Sequence, residues 1–297
     1  MNDRPAIAVL GVGAIGGAVA AALGDAGHRP ALCVRTPFQH LSRSLDGETR
    51  QYEHPVYTRC DALSHQDWVL LCTKAHQIEG AAHWLRRLIG PDTRVAVMQN
   101  GVDHVDRVSA YVDAERAVPC VIMLPAHAVQ AGVVEQARAG TVQVPDSAAG
   151  RALAELFADQ QAIGFEPSAD FVSALWSKLV SNAVGGAICA LALKPLGAVA
   201  AAQVRELVTG LMEEVVRVGQ AEGAIFPEDF VAEMIQKFCG PIGEHWTSIA
   251  ADRRDGRSME WQARNAVVGV VGRRHGIPTP LNDALTALLA LIDAPTA

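Results

Sequence analysis

Ala6-Ile7-Ala8-Val9-Leu10-Gly11-Val12-Gly13-Ala14-Ile15-Gly16-Gly17 passes from a short apolar run through a glycine-rich turn into an alanine-rich segment. A buried strand, a tight turn and a packed helix account for that order. Each glycine then has a reason: Gly11 permits the turn, Gly13 lets backbone approach a pyrophosphate, and Gly16 allows close packing of helix on strand. The helix N-terminus adds amides and the positive end of its dipole. The Gly-x-Gly-x-x-Gly pattern is weak alone, but between strand and helix it predicts a dinucleotide site. The uncharged run from Ala6 to Leu23 is near membrane length. Its four glycines make a poor helix centre, and no basic n-region precedes it. The expectation is a cytoplasmic protein with no membrane partner.

Working outward, Pro30–Val34, Trp68–Cys72, Arg94–Met98 and Val118–Met123 read as further buried strands. Ala14–Ala26 and Gln77–Leu88 read as helices between them. That alternation predicts an α/β class with a Rossmann-type parallel sheet covered on both faces. Gly132–Val144 is shorter and more polar, and suggests an antiparallel pair at the sheet edge. After Phe165-Glu166-Pro167 the strand signals thin out. Asp170 is placed to cap a long helix, and helical patterns follow at Ala200–Gly219, Pro227–Phe238, Met259–Arg274 and Leu281–Ile292. The chain should therefore comprise a Rossmann cofactor domain over 1–167 and an all-helical substrate and catalytic domain over 168–297.

Composition agrees with that plan. A chain of 297 residues exceeds the usual single-domain size, and half of it is apolar with only 19% charged. The net charge of −7 includes no basic block, so nucleic acid is not an expected partner. Cys33, Cys60, Cys72, Cys120, Cys189 and Cys239 lie far apart without a CxxC pair, which suits free thiols better than disulfides or a metal site.

The second strand bears on the choice of cofactor. An NAD enzyme usually carries Asp or Glu about twenty residues beyond the glycines. Here the strand ends in Cys33-Val34-Arg35-Thr36, and the next acid is Asp46. Arg35 suits a 2′-phosphate, so NADPH is expected; an ordinary exposed loop arginine is the competing reading. Two further strand ends, Thr73-Lys74-Ala75-His76-Gln77 and Gln99-Asn100-Gly101, should reach the same crevice. Lys74, Gln77 and Asn100 thus join Gly11, Gly13, Ala14, Ile15, Gly16 and Arg35 as candidate cofactor ligands. Lys74 and Gln77 are equally suited to capping the next helix, and Asn-Gly is a common turn dipeptide.

Lys178 and Asn182 stand one helical turn apart among apolar neighbours, which puts both side chains on one face. An ammonium there is costly unless it has a partner or a task. Near a nicotinamide, Lys178 would donate a proton to a carbonyl oxygen as hydride reaches its carbon. The competing reading is a lysine whose head reaches out to solvent. Downstream, Ser248 is suited to donate to a substrate carboxylate, and Glu260 to bind a substrate hydroxyl and tune Lys178. Against this, Glu260 and Arg264 have the spacing of a surface ion pair, and Asp252 is surrounded by arginines with which to pair.

Taken together these positions resemble the ketopantoate reductase family, within the 6-phosphogluconate dehydrogenase-like superfamily. The likeness runs through Gly11-x-Gly13-x-x-Gly16, Lys74 with Gln77, Asn100-Gly101, Trp176-Ser177-Lys178-Leu179 with Asn182, and Ser248-x-x-x-Asp252. It continues with Glu260, Asn265 and the run from Arg273 to Pro280. The resemblance implies NADPH-dependent reduction of 2-dehydropantoate to (R)-pantoate in pantothenate biosynthesis, or of a close analogue. It implies Lys178 as general acid with Glu260 as its partner, Asn182 and Ser248 holding the substrate, and Asn100 between cofactor and lysine.

The chain departs from the family pattern where a second Asn is usual four residues after Asn182. That position is Gly186, and the loss of a donor there predicts a larger pocket. Gln262 stands where Asp is common, and Ala266 where Gly is usual. Any small anionic 2-oxo acid therefore remains a candidate substrate. A hydroxy-acid or opine-type dehydrogenase and a non-catalytic NADPH-binding sensor are the alternatives. The apolar helices of the second half leave room for a homodimer.

Overall fold

A computed structural model describes residues 4–293. The chain forms two compact units, Met1–Gln99 with Asp103–Phe171, and Asn100–Val102 with Val172–Ala297.

The first unit contains β1 (Ile7–Leu10), β2 (Ala31–Cys33), β3 (Leu41–Leu45), β4 (Glu48–Tyr52), β5 (Val56–Tyr57), β6 (Trp68–Leu71) and β7 (Arg94–Val97). It continues with β8 (Ala117–Pro119), β9 (Val121–Met123), β10 (Ala126–Gln130), β11 (Val133–Gln136), β12 (Gly140–Pro145) and β13 (Ile163–Ser168). A six-stranded parallel sheet has the order β5-β2-β1-β6-β7-β8. Its central strands are apolar throughout because α1 (Ala14–Asp25) and α2 (Ile78–Leu88) cover opposite faces. Gly17 lets β11 come close to α1: a Cβ there would lie 2.4 Å from a Val134 methyl carbon.

Three sequence expectations need correction. Val118–Met123 is not one strand, because the chain changes sheets at Cys120: β8 pairs parallel with β7, and β9 pairs antiparallel with β12. The segment Gly132–Val144 does not fold back on itself. Its β11 joins the four-stranded sheet β10-β11-β3-β4, while β12 joins the three-stranded sheet β13-β12-β9. The β3–β4 hairpin was not anticipated either, although Asp46-Gly47 carries it. Both residues have positive φ, 50° and 85°, as a two-residue hairpin turn demands. Arg43 on β3 ties the hairpin to α1, donating to Asp25 at 2.6 Å, and the Tyr52 hydroxyl donates to the same carboxylate at 3.0 Å.

The second unit is helical. One continuous helix of 22 residues runs from α5 (Phe171–Val180) through a π-helical turn (Ser181–Gly186) into α6 (Ala187–Ala192). It is long and apolar enough to cross a membrane, a feature not noticed in the sequence, and 61% of its apolar window is buried inside the protein. Then come α7 (Arg205–Ala221), α8 (Phe230–Phe238), α9 (Ser248–Arg254), a second π-helical turn (Gln262–Ala266), α10 (Val267–Arg274) and α11 (Pro280–Asp293). Buried Glu214 on α7 holds the start of α11, accepting from the Leu281 and Asn282 backbone amides at 3.0 and 2.9 Å and from the Asn282 side chain at 2.8 Å.

Candidate active site

In the first unit the candidate cofactor residues follow the carboxyl ends of parallel strands. Gly11–Gly16 follow β1, Arg35 follows β2, and Lys74 and Gln77 follow β6. The three glycines behave as the turn requires. Gly11 has φ +92°, a conformation costly for other residues, and a Cβ on it would stand 2.8 Å from the Thr73 backbone nitrogen. A Cβ on Gly16 would lie 2.0 Å from the Gly11 carbonyl oxygen, so only glycine lets α1 start there. A Cβ on Gly13 would meet nothing within 4 Å, leaving open space over the helix N-terminus where a phosphate fits. Ala14 and Ile15 form the first turn of α1 and are partly exposed. Arg35 is exposed, while Lys74 and Gln77 are half-buried, Lys74 just before a 3-10 turn (Ala75–Gln77) and Gln77 at its end.

Gln99, at the end of β7, was not singled out from the sequence. It is 5% exposed, and its side-chain amide donates to the Thr73 carbonyl at 2.9 Å while its amide oxygen accepts from Arg107 at 3.2 Å. It therefore braces the loop that carries Lys74. An isolated Gln-Asn-Gly gives no sign of this, because the partners come from elsewhere in the chain.

In the second unit the two π-helical turns pack against one another and carry Asn182, Arg264 and Asn265. Such turns break the regular hydrogen-bond ladder and are frequent at functional sites. Buried Asn265 secures the pair, donating to the Ala183 carbonyl at 2.7 Å. Asn182 donates to the Asn100 side-chain oxygen at 3.3 Å, and Asn100 in turn donates to Glu260 at 3.2 Å. Asn100, Asn182 and Glu260 are thus joined in one polar chain.

Lys178, one turn before Asn182, is half-buried. Burial of its amine, and secondarily the positive charge of Arg264, lowers its pKa from 10.5 to about 8. Ser248 is exposed at the start of α9, and the preceding Thr247 caps that helix by accepting from the Ala250 amide at 3.4 Å.

Arg264 departs from the surface ion pair expected of it. It does pair with Glu260, at 3.6 Å, but both side chains are buried. Its Nη2 donates to Ser248 Oγ at 2.9 Å. A Cβ on Gly186 would lie 3.1 Å from Ile249 Cγ2 and 3.8 Å from Arg264 Nη1, so this glycine borders the buried guanidinium. Asp252 pairs with Arg257 at 3.0 Å.

A parallel-sheet unit with this glycine turn, followed by a helical unit with a half-buried lysine one turn before the Asn182–Asn100–Glu260 chain, defines a dinucleotide-binding oxidoreductase. Models of the ketopantoate reductase PanE/ApbA family match residues 7–149, and those of its C-terminal region match residues 170–293. The chain belongs to the ketopantoate reductase family. A 2-dehydropantoate 2-reductase of Caulobacter vibrioides is 39% identical, covering 95% of this chain and 97% of its own. The crystal structure of 2-dehydropantoate 2-reductase from Geobacter metallireducens matches with a TM-score of 0.88 at 26% identity, covering 96% of this chain and 99% of that one. A D-mandelate dehydrogenase solved with NADH and anilino(oxo)acetate shares the fold at 23% identity and TM-score 0.86, over 97% of this chain and 98% of that one.

Proposed function

We propose that this protein reduces the ketone of a small 2-oxo acid, 2-dehydropantoate foremost, with NADPH. The observation that carries the reading is the polar chain Asn182–Asn100–Glu260 beside a lysine whose pKa lies near 8. Family membership and the 39% identical 2-dehydropantoate 2-reductase support it. The dinucleotide, when bound, supplies the hydride. Gly11, Gly13 and Gly16, with Ala14 and Ile15 in the first helical turn, hold its pyrophosphate by backbone amides. Lys74 and Gln77 would provide further side-chain contacts to it. Arg35 stands where an NAD enzyme would carry an acid, and favours a 2′-phosphate.

Lys178 gives its Nζ proton to the carbonyl oxygen as the carbon is reduced, which avoids a free alkoxide. A pKa near 8 makes the ammonium abundant at neutral pH yet willing to part with the proton. Glu260 orients Asn100 and accepts from the product hydroxyl, while Asn182 and Ser248 hold the substrate. A cytoplasmic location accords with this chemistry.

The test is a steady-state assay of NADPH oxidation with 2-dehydropantoate. Lys178→Ala should lower kcat by roughly 10²- to 10⁴-fold, the usual worth of general acid catalysis, and leave the Kd for NADPH unchanged. Wild-type protein that binds NADPH and turns over no 2-oxo acid would make it a sensor instead.

A further inference from the structure

The proton transfer described above gives Arg264 no task, yet its guanidinium is only 3% exposed. Nη2 reaches Ser248 Oγ at 2.9 Å and stands 3.6 Å from Glu260 Oε2, while the buried Nε has no hydrogen-bond partner. Burying a guanidinium is costly unless its charge is matched. Glu260 Oε2 also accepts from Asn100 at 3.2 Å. Lys178 adds a second cation, close enough for the charge of Arg264 to be felt at its amine. The guanidinium thus keeps one buried nitrogen without a partner and faces a like charge.

The position of Ser248 indicates where an anion would approach this cation. The residue is exposed, so the outer edge of the guanidinium lies directly beneath a side chain that solvent reaches. The hydroxyl accepts from Arg264, which leaves its own hydrogen to donate outward. We propose that Arg264, together with the Ser248 hydroxyl, binds the carboxylate of the 2-oxo acid and selects for it. The guanidinium packs against Gly186, with Nη1 3.8 Å from where a Cβ would be. A planar fork of donors grips a carboxylate at two points and so fixes the direction of the adjoining carbonyl. This inference rests on the second unit being the oxo-acid site.

The test compares ketopantoate with its uncharged lactone, each titrated calorimetrically into the protein saturated with NADP+. Arg264→Met should weaken ketopantoate by roughly ten- to hundredfold, the worth of a charge-assisted contact, and change lactone binding by less than about threefold. Arg264→Lys should recover part of the loss. Should the methionine variant fail to fold, Arg264→Lys and Ser248→Ala carry the same comparison, both acting on the acid more than on the lactone. Equal effects on acid and lactone, or none on the acid, would overturn the role of Arg264. Wild-type protein that prefers the acid to the lactone but never oxidises NADPH would leave that role standing and sink the reductase.

Discussion

Lys178 and Arg264 were visible in the same way, as cations on helical segments, but only one was readable. Lys178 sits among small and apolar residues, so a charge there calls for an explanation. Arg264 follows Glu260 by four residues, a spacing that normally describes a solvated face, and its burial depends on packing between the two π turns that periodicity does not encode. The structure couples the pair, because burial first and the Arg264 charge second hold the Lys178 amine at about 8. The sign of the pH dependence follows. Reduction needs the protonated amine, so kcat/KM for the oxo acid should be level below pH 8 and fall as the pH rises through it. Oxidation of the hydroxy acid needs the neutral amine and should rise over the same range. Arg264→Met removes a like charge and should move both midpoints upward. A midpoint that stays fixed in this variant would show that Arg264 does not act on the lysine. At the other end of the reaction, Arg35→Ala should weaken NADPH by roughly tenfold or more, as loss of a charge-assisted contact does, with little effect on NADH. Equal loss for both would mean that Arg35 does not meet the 2′-phosphate.

At the scale of elements, the first strand, the glycine turn and α1 were legible because pattern and local chemistry agree there. Errors came where tertiary structure overrode local reading. Val118–Met123 looks like one apolar strand, and only its partners, β7 before it and β12 after it, divide it between sheets at Cys120. The β3–β4 hairpin was missed despite Asp46-Gly47, because its strands are polar and short of β-branched residues. Neither π turn has any periodic signature, yet these two turns assemble the candidate site. The start of α11 shows the same dependence on distant partners: its first amides are held by Glu214, which lies on α7. Glu214→Ala would leave those buried donors and the Asn282 side chain without an acceptor, and should destabilise the second unit by about 2–4 kcal/mol. Amide hydrogen exchange would locate the damage. Exchange should quicken across Pro280–Asp293 and remain unchanged in β1, β6 and β7; protection of α11 equal to wild type would deny Glu214 this role.

The whole molecule has separate cores in its two units. One buried cluster in the first unit unites α1 with the sheets and another backs α2, while the cluster in the second unit centres on Trp176, Val184, Met212 and Phe238. The two-part plan was readable from the change in pattern after Pro167, since alternating strands and helices give way to helices alone. Separate cores and a cofactor turn confined to one of them make a thermodynamic prediction. A ligand stabilises only what it binds, by RT ln(1 + [L]/Kd), which is about 2.7 kcal/mol at a hundredfold excess over Kd. For a unit of this size, where each kcal/mol is worth about 2–4 °C, that corresponds to a rise of roughly 5–11 °C in its transition. Scanning calorimetry of the full chain should therefore resolve two components, with NADPH raising the one that belongs to the glycine turn. Adding a 2-oxo acid to the NADPH-bound Lys178→Ala protein, which traps the substrate unreacted, should then raise the other. If NADPH alone lifted both components equally, the units would unfold as one. The cofactor's stabilising effect would then be spread over the entire chain, and the separate cores would not mark independent folding units.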